Sequence, residues 1–336
     1  MSWRSPGGEL PDGRREERCP CVRTPPVAVL GENLVDLLVA PDGALNGVIG
    51  GGPLNVARTI GRLGGDARFL TGVSVDAFGA LVRAALEESA VRLVIDRRLV
   101  QPTALAVVEL VGGIPHYHFH LNDTAAFALG AAECTEALAG VDDLAAYYFG
   151  TLGLLVEPMA TVGESLVLAT PADTLVVIDP NCRPHAVRDE AGYRARVARL
   201  CARADVVKVS TEDLAYLYPD RSRHDGARDI LGHGAAVVMV TDGDAPVRVL
   251  GDHVDLEIDV ATIEVVDTVG AGDALVGGFL AWWTGHHFGQ AQLHDGPTLR
   301  AAVSAAIEIS RLTCQRAGAE PPRRDEVLHL EGWRWL

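Results

Sequence analysis

A short glycine-rich stretch near the carboxyl end, Gly270-Ala271-Gly272-Asp273, carries the residue types most able to do chemistry. It follows an apolar and β-branched run, Ala261 to Val266, and precedes an apolar run of helical length, which predicts a sharp strand-to-helix turn. The three small residues would present amides without intrahelical acceptors at the positive end of a helix, which makes an anion hole. Asp273 could then accept a proton from a hydroxyl while the hole holds a phosphoryl group. The alternative is a glycine-rich turn in which Asp273 only caps the helix.

The elements that must position this stretch lie upstream of it. From about residue 142 onward, nearly continuous apolar strands alternate with helices, which predicts a parallel sheet covered on both faces. Ligands of such sheets bind at the carboxyl ends of the strands. Three polar segments follow predicted strands at these ends: Asp179-Pro180-Asn181-Cys182-Arg183, Lys208-Val209-Ser210-Thr211-Glu212-Asp213, and Thr241-Asp242-Gly243. Turns also favour these residue types, so each segment could instead be an ordinary turn.

Two features of the amino-terminal part also carry polar groups. Asp36 interrupts the apolar run Leu34 to Val39, and because an unpaired buried aspartate is costly, it either binds a polar ligand or makes a structural hydrogen bond. Gly50 and Gly51 precede a helix whose first turn contains Asn55, which offers both a donor and an acceptor.

Between these regions the pattern changes to short strands, Leu93 to Leu99, Ala104 to Val111 and Pro115 to His120, which predict an antiparallel sheet. In the last one, three histidines alternate with Tyr117 and Phe119. A metal site is one interpretation, but no carboxylate or cysteine has ligand spacing nearby, so an exposed strand with one aromatic face is preferred.

Composition restricts the function classes. The chain has 336 residues, 48% hydrophobic and 22% charged, which allows one large α/β core with a small appendage. A formal net charge of −16 argues against a nucleic-acid partner or an anionic membrane surface, because both need a basic field. No apolar run reaches the roughly 18 residues of a membrane span and no signal pattern is present, so a cytoplasmic location is predicted.

The first 26 residues are rich in Pro, Gly, Arg and Glu and lack apolar periodicity, which predicts a disordered extension. Of six scattered cysteines, only Cys19 and Cys21 are close together, and no second pair completes a zinc site. All six are interpreted as reduced thiols.

Taken together, the chain resembles the ribokinase-like carbohydrate kinases, the PfkB family, over roughly residues 27–321. The ordered set of motifs that carries the resemblance is Gly50-Gly51 with Pro53 and Asn55, Asp179-Pro180-Asn181 with Arg183, and Asp267 to Asp273. The resemblance implies an α/β/α sandwich with a mostly parallel central sheet, forming a kinase domain over residues 27–330. It also implies a small β-strand lid, formed by about residues 36–48 and 93–122.

The resemblance further assigns roles. Asp273 is expected to be the general base toward a sugar hydroxyl, while the Gly270, Ala271 and Gly272 amides stabilise the γ-phosphoryl group of ATP. The expected sugar ligands are Asp36, Gly50, Gly51, Asn55 and Phe119. The expected ATP ligands are Asn181, Arg183, Ser210, Thr241, Gly243, Asp267 and Thr268.

Magnesium would be reached through water by Asp213, and a potassium ion near the anion hole is common in the family. The chain departs from the family pattern in two places. Ser210-x-x-Asp213 replaces a frequent Asn-x-x-Glu, which shortens the reach of the acidic group, and Leu275 replaces a common Phe.

Details of the lid strands and of Gly50-Gly51-x-Pro-x-Asn55 are similar to bacterial fructokinases. Ribose, 2-keto-3-deoxygluconate and nucleosides remain open as substrates, because a few contacts can set the choice of hydroxyl. A nucleotide-dependent oxidoreductase is disfavoured, since Gly31-Glu32-Asn33 and not G-x-G-x-x-G follows the first strand. A non-catalytic sugar-binding regulator is disfavoured by the presence of Asp273. A homodimer through an uncovered lid face is a further expectation.

Overall fold

The computed structural model of the protein describes residues 24–40, 42–111 and 114–334. Met1 to Arg23, which include Cys19 and Cys21 and most of the predicted disordered extension, lie outside the described residues. The folded part is slightly longer than the predicted domain at both ends. Pro26 already belongs to the first strand, and Trp333 is fully buried.

The described residues contain fifteen strands. They are β1 Pro26–Leu30, β2 Leu34–Val39, β3 Leu45–Gly50, β4 Asp66–Leu70, β5 Val73–Ser74, β6 Arg92–Leu93, β7 Arg98–Leu99, β8 Ala104–Val111, β9 Ile114–His120, β10 Ala146–Gly150, β11 Leu175–Asp179, β12 Val206–Ser210, β13 Val237–Thr241, β14 Val247–Gly251 and β15 Asp255–Ile258. The same residues contain ten α-helices. They are α1 Gly52–Arg62, α2 Ala77–Glu88, α3 Ala131–Ala139, α4 Met159–Ala169, α5 Glu190–Cys201, α6 Thr211–Leu217, α7 Arg223–His233, α8 Ala271–Gly285, α9 Gly296–Cys314 and α10 Arg324–Val327.

Nine strands form the central sheet, in the spatial order β15-β14-β13-β12-β11-β10-β1-β4-β6. All neighbours from β6 to β13 are parallel, and β14 alone reverses direction. The predicted mostly parallel sheet is therefore confirmed. After β1 the chain first adds β4 on one side and later β10 on the other, so β1 and β10 border a topological switch point, where open α/β sheets bind ligands.

Alternating side chains of the strands enter two separate cores, as expected for a sheet covered on both faces. Val27 and Val29 of β1 pack with α1, α2, α8 and α9, whereas Ala28 and Leu30 pack with α3 to α7. This layering confirms the α/β/α architecture. Helix α8 lies in the middle of its layer: a Cβ on Gly277 would be 2.5 Å from Thr59 Cβ of α1, so the two helix backbones approach closely.

A second, four-stranded sheet has the order β3-β2-β8-β9, and we call it the lid sheet. Strands β2 and β8 are parallel, while β2 with β3 and β8 with β9 are antiparallel. The expected strand over residues 93–99 does not join the lid sheet. Arg92–Leu93 pairs with β4 in the central sheet and Arg98–Leu99 pairs with β5, because this segment runs beside the core before the chain enters β8.

A different prediction, that of a strand over Ala261 to Val266, is wrong. The backbone there is irregular, and the Val266 and Asp267 amides both donate to the Cys314 carbonyl at the end of α9, at 2.9 and 3.2 Å. Ala261, Ile263 and Val265 of this run line an open cleft rather than pack in a core. Among the residues that the structure covers, no helix is long and apolar enough to cross a membrane.

Candidate active site

The glycine-rich turn forms the amino terminus of α8, as predicted. Gly270 is the N-cap with φ +77°, a left-handed conformation that favours glycine, and a side chain there would collide with Ala319. The Ala271 amide donates to the Thr268 carbonyl at 3.2 Å, so it is not free for a ligand, in contrast to the expectation. The amides of the next two residues, Gly272 and Asp273, lie in the first helical turn, where no intrahelical acceptor is available. The amides that could bind an anion are therefore those of Gly272 and Asp273, two residues after Gly270, where the anion hole was expected to begin.

Asp273 is buried in this first turn. Asn55 of α1 donates from Nδ2 to Asp273 Oδ2 at 2.9 Å. Burial raises the pKa of Asp273, and the Asn55 hydrogen bond and the charges of Lys208 and Arg183 oppose that rise. The second oxygen, Oδ1, is 3.2 Å from where a Cβ on Gly52 would be. One oxygen of Asp273 is thus oriented by Asn55 while the other faces the start of α1, a suitable arrangement for a general base.

A buried lysine that sequence reasoning left without a role lies beside the anion hole. Lys208 in β12 is 4% exposed, and its Nζ is 3.3 Å from Asp179 Oδ2. The same Nζ is 2.9 Å from where a Cβ on Gly272 would be. Burial alone lowers the pKa of Lys208, but the carboxylates of Asp179, Asp213 and Asp273 outweigh it and raise that pKa. A fixed positive charge therefore adjoins the first turn of α8, where it would stabilise a phosphoryl group.

Asp179 ends β11 and is fully buried. Burial raises its pKa to about 6, and the charge of Lys208 opposes the rise. A detectable signal for Lys208 existed in the sequence, because it is the single charge within Val206-Val207-Lys208-Val209. A charge within an apolar run needs a partner when it is buried, and this holds for Lys208 as it does for Asp36.

Two other buried polar side chains at the switch point were missed. Glu32 follows β1 and accepts a hydrogen bond at Oε2 from the Gly153 amide at 3.0 Å. Burial raises the pKa of Glu32 to about 7. Thr151, with φ +58°, is buried, and its hydroxyl is 2.5 Å from where a Cβ on Gly52 would be. Glu32 was visible as a charge directly after an apolar strand, whereas nothing in the sequence marked Thr151.

The lid sheet brings the first group of expected sugar ligands toward Asp273. Asp36 lies in β2, next to Gly50 of β3. A Cβ on Gly50 would be only 2.1 Å from Asp36 Oδ2, so the carboxylate fits there only because residue 50 is a glycine. Burial raises the pKa of Asp36 to about 6; the charge of Arg183 opposes this rise and that of Asp273 adds to it. Gly51, with φ +113°, is the N-cap of α1, four residues before Asn55. The polar groups of the lid sheet and of α1 therefore converge on one place.

Phe119, the remaining expected sugar ligand, lies on a different strand of the lid sheet from Asp36. It lies in β9, two strands away from Asp36 in the lid sheet, and its ring stacks on Tyr117 with a centroid distance of 6.0 Å. Its contact with a ligand remains a prediction.

A cleft of about 520 Å³ opens on the other side of the anion hole, next to α9. Three of the expected ATP ligands, Thr241, Gly243 and Thr268, line it. Most of its remaining wall is apolar, with Val247, Val260, Ala261, Ile263, Val265, Leu275 and Ile307 among the lining residues. A cleft with apolar walls that ends at helix amides can hold a flat apolar ring with its anionic tail at the hole.

The other expected ATP ligands do not line this cleft. Ser210 and Asp213 form a capping box at the start of α6. Asn181, with φ +38°, accepts at Oδ1 from Arg183 Nη1 at 2.6 Å. Asp267 accepts from the Val269 and Gly318 amides at 3.0 and 2.9 Å, so it fixes the turn.

The magnesium contact of Asp213 stays a prediction, and the hydrogen bonds of this side chain limit the form that it can take. Both oxygens of Asp213 accept backbone hydrogen bonds, from Ser210 at 2.8 Å and from Cys182 at 2.6 Å. Within residues 24–40, 42–111 and 114–334 no group of three or more His, Cys, Asp or Glu side chains could hold a metal ion. The donor set therefore fits a magnesium ion that is carried by nucleotide phosphates and touches the protein through water, but not an all-protein site.

Comparisons with known proteins show the family of this chain. The family model of the pfkB family carbohydrate kinases matches residues 28–326. A fructokinase of Rhizobium leguminosarum bv. trifolii is 32% identical over 256 residues, which are 75% of this chain and 77% of that protein. A fructokinase of Vibrio alginolyticus is 30% identical over 320 residues, covering 91% of this chain and 99% of the relative.

Solved structures show the same fold. The fructokinase of Xylella fastidiosa with bound ATP superimposes with a TM-score of 0.82 at 27% identity, covering 90% of this chain and 97% of that one. The fructokinase of Vibrio cholerae O395 with bound fructose, ADP and a calcium ion gives a TM-score of 0.75 at 26% identity, covering 88% and 94%.

Proposed function

Because the chain belongs to the pfkB family and is thus a carbohydrate kinase, a phosphotransferase, we propose that it transfers the γ-phosphoryl group of ATP to a hydroxyl of fructose. The observation that carries the proposal is the buried Asp273 in the first turn of α8, oriented by Asn55 and adjoined by Lys208. A base and a stabiliser of negative charge thus adjoin one point, as in-line phosphoryl transfer requires.

In the proposed reaction, Asp36 and Asn55 bind sugar hydroxyls and aim one of them at the γ-phosphorus. Asp273 takes the proton of that hydroxyl as the bond between its oxygen and the phosphorus forms. The bond from the phosphorus to the β,γ-bridging oxygen breaks, and ADP leaves with the electron pair. The Gly272 and Asp273 amides and the Lys208 ammonium stabilise the charge on the transferred group.

The nucleotide is proposed to lie in the cleft beside α9, with its base between the apolar walls and its phosphates pointing at the start of α8. Magnesium, when bound with ATP, would neutralise phosphate charge, and Asp213 would meet it only through water. Direct roles of Asn181, Arg183, Ser210 and Asp267 toward ATP, and a need for potassium, stay predictions.

Fructose is preferred over ribose, 2-keto-3-deoxygluconate and nucleosides because the relatives named above are fructokinases. A dimer through the lid sheet is also proposed, since Leu45, Val48 and Tyr117 are 65%, 47% and 45% exposed there. A cytoplasmic location stays a prediction.

The experiment that tests the substrate is a coupled ADP-release assay with a panel of sugars and nucleosides. Fructose is expected to give the highest kcat/KM, and a clear preference for ribose or adenosine would refute the fructose assignment. Sugar binding without ADP release for any compound would instead indicate a non-catalytic regulator.

The proposed base is tested by Asp273→Asn. This variant keeps the shape and the contact with Asn55 but cannot accept the proton, so kcat is expected to fall by about 10²- to 10⁴-fold. The affinity for ATP, measured by calorimetry, should stay near that of the wild type. Turnover at the wild-type rate in this variant would sink the mechanism.

A further inference from the structure

The segment that follows α9 packs directly on the anion hole. The Gly318 amide donates to Asp267 Oδ2 at 2.9 Å, and Asp267 lies three residues before Gly270. Ala319 Cβ is 2.5 Å, and its Cα 3.0 Å, from where a Cβ on Gly270 would be. Residues 318–321, which we call the clasp, therefore touch the backbone from which α8 begins.

Two arginines of α1 hold the clasp from the opposite side. Arg58 and Arg62 are only 4% and 9% exposed. Arg58 donates to Glu320 Oε1 at 2.7 Å and to the Ala319 carbonyl at 3.2 Å. Arg62 donates to Glu320 Oε2 at 2.5 Å and to the Pro321 carbonyl at 2.8 Å. Burial would raise the pKa of Glu320, but the two guanidinium groups outweigh it and lower that pKa, so the carboxylate stays charged.

Helix α1 also holds the base. Asn55, one turn before Arg58, donates to Asp273, and the two helices are in contact at Thr59 and Gly277. One helix therefore touches both parts of the reaction machinery: the base through Asn55, and the turn that forms the anion hole through Arg58, Arg62 and the clasp.

From these contacts we propose that Arg58, Arg62 and Glu320 are positioning residues that fix the anion hole relative to the base. This inference rests on the proposed phosphotransferase role of Asp273 and α8. The three side chains do not touch the reacting atoms. They act through Ala319 on Gly270, and a displacement of about 1 Å there is enough to slow a group transfer by roughly 10²-fold.

The chain offers a matched control for Glu320. Glu88, at the end of α2, also pairs with both arginines, with Arg62 at 2.9 Å and with Arg58 at 3.8 Å, and its side chain is 45% exposed, like that of Glu320. Glu88 lies outside the clasp. Glu88 also pairs with Arg323, two residues after the clasp. Glu320→Ala and Glu88→Ala thus each remove a carboxylate from the same two arginines, but only the first removes a side chain of the clasp and leaves Ala319 held by the Arg58 bond to its carbonyl alone.

The test compares both variants for thermal unfolding, kcat and the KM values for ATP and sugar. Both should lose similar stability. Glu320→Ala is expected to lower kcat by about 10- to 100-fold with KM values within about three-fold, whereas Glu88→Ala keeps kcat within about two-fold of the wild type. Equal loss of kcat in both variants, or no loss in Glu320→Ala, overturns the proposal.

Two additional measurements keep the test decisive. If Glu320→Ala does not fold, Ala319→Gly removes only the methyl group against Gly270, and an unchanged kcat in that variant overturns the proposal. Binding of MgADP with aluminium fluoride, a mimic of the transferred phosphoryl group, is measured without sugar. It should weaken about ten-fold or more in Glu320→Ala and not in Glu88→Ala, even if fructose proves not to be the acceptor.

Discussion

Replacing Lys208 by methionine separates the two roles that its position allows: neutralising Asp179 and stabilising the transferred phosphoryl group. The ion pair has an Nζ-to-Oδ2 distance of 3.3 Å, and both residues are buried. Removing one partner of such a pair leaves the other charge without compensation, at a cost of about 3–5 kcal/mol in the free energy of unfolding. For a domain of this size, that corresponds to a drop in Tm of roughly 5–8 °C.

The double variant Lys208→Met/Asp179→Asn removes both charges. It is expected to regain most of the lost stability, because Asp179, the carboxylate that pairs with Lys208, is then neutral. Its activity should not recover. Losing one preorganised donor beside the anion hole is expected to lower kcat by about 10²- to 10³-fold, and restoring the stability does not replace that donor.

Asp179→Asn alone completes the comparison. It keeps the ammonium group next to Gly272, so it should be less stable than the wild type while retaining kcat within about ten-fold. The assay combines thermal unfolding with initial rates of ADP release at saturating ATP and sugar. Wild-type kcat in the double variant would show that Lys208 only neutralises Asp179, and the assignment to the anion hole would then be wrong.

Two further predictions follow from the same site. Gly50→Ala places a methyl group 2.1 Å from Asp36 Oδ2, so the carboxylate must move. In steady-state kinetics, the KM for sugar should therefore rise about ten-fold or more, while the KM for ATP stays constant. Burial raises the pKa of Glu32 from an ordinary 4.5 to about 7. At pH values between 4.5 and about 7, the folded state therefore holds a proton that the unfolded state has released. The free energy of unfolding should therefore fall by roughly 3 kcal/mol from pH 4.5 to above pH 7 through this group, and Glu32→Gln should remove that part of the pH dependence in denaturant titrations. Equal pH dependence in wild type and variant would contradict the second prediction.

Much of the fold was predictable because its signals are local. Apolar strands that alternate with helices predicted the parallel sheet, and the turn at Gly270 predicted the start of α8. The run Ala261 to Val266 misled for a physical reason: Ala261, Ile263 and Val265 line the cleft beside α9, so their hydrophobicity belongs to a cleft wall and not to a strand. Helices α3 and α7 went unpredicted, since their polar and alanine-rich sequences show weak apolar periodicity.

Residues of the candidate site could be identified in the sequence where glycine or an isolated charge marks them, as at Asp36 and Asp273. The site was not predictable where the decisive feature is a distance between segments far apart in sequence. The contact of Lys208 with Gly272, and the use of both Asp213 oxygens by backbone amides, depend on how the strand ends meet in space. Glu320 is an ordinary surface residue in the sequence, and only the two arginines facing it in the structure give it a role.

The bond from Asn55 to Asp273 spans 218 residues, and that from Arg58 to the Ala319 carbonyl spans 261. Contacts so distant along the chain form late and slowly, because their loop closure must precede any gain in energy. Strand β1 lies in the interior of the central sheet, between β4 and β10. One of its edges can pair with β4 early, but the other stays unpaired until β10 has been synthesised. During synthesis, Asp273 and the turn beside it cannot take up their final places until the segment around Ala319 has emerged from the ribosome.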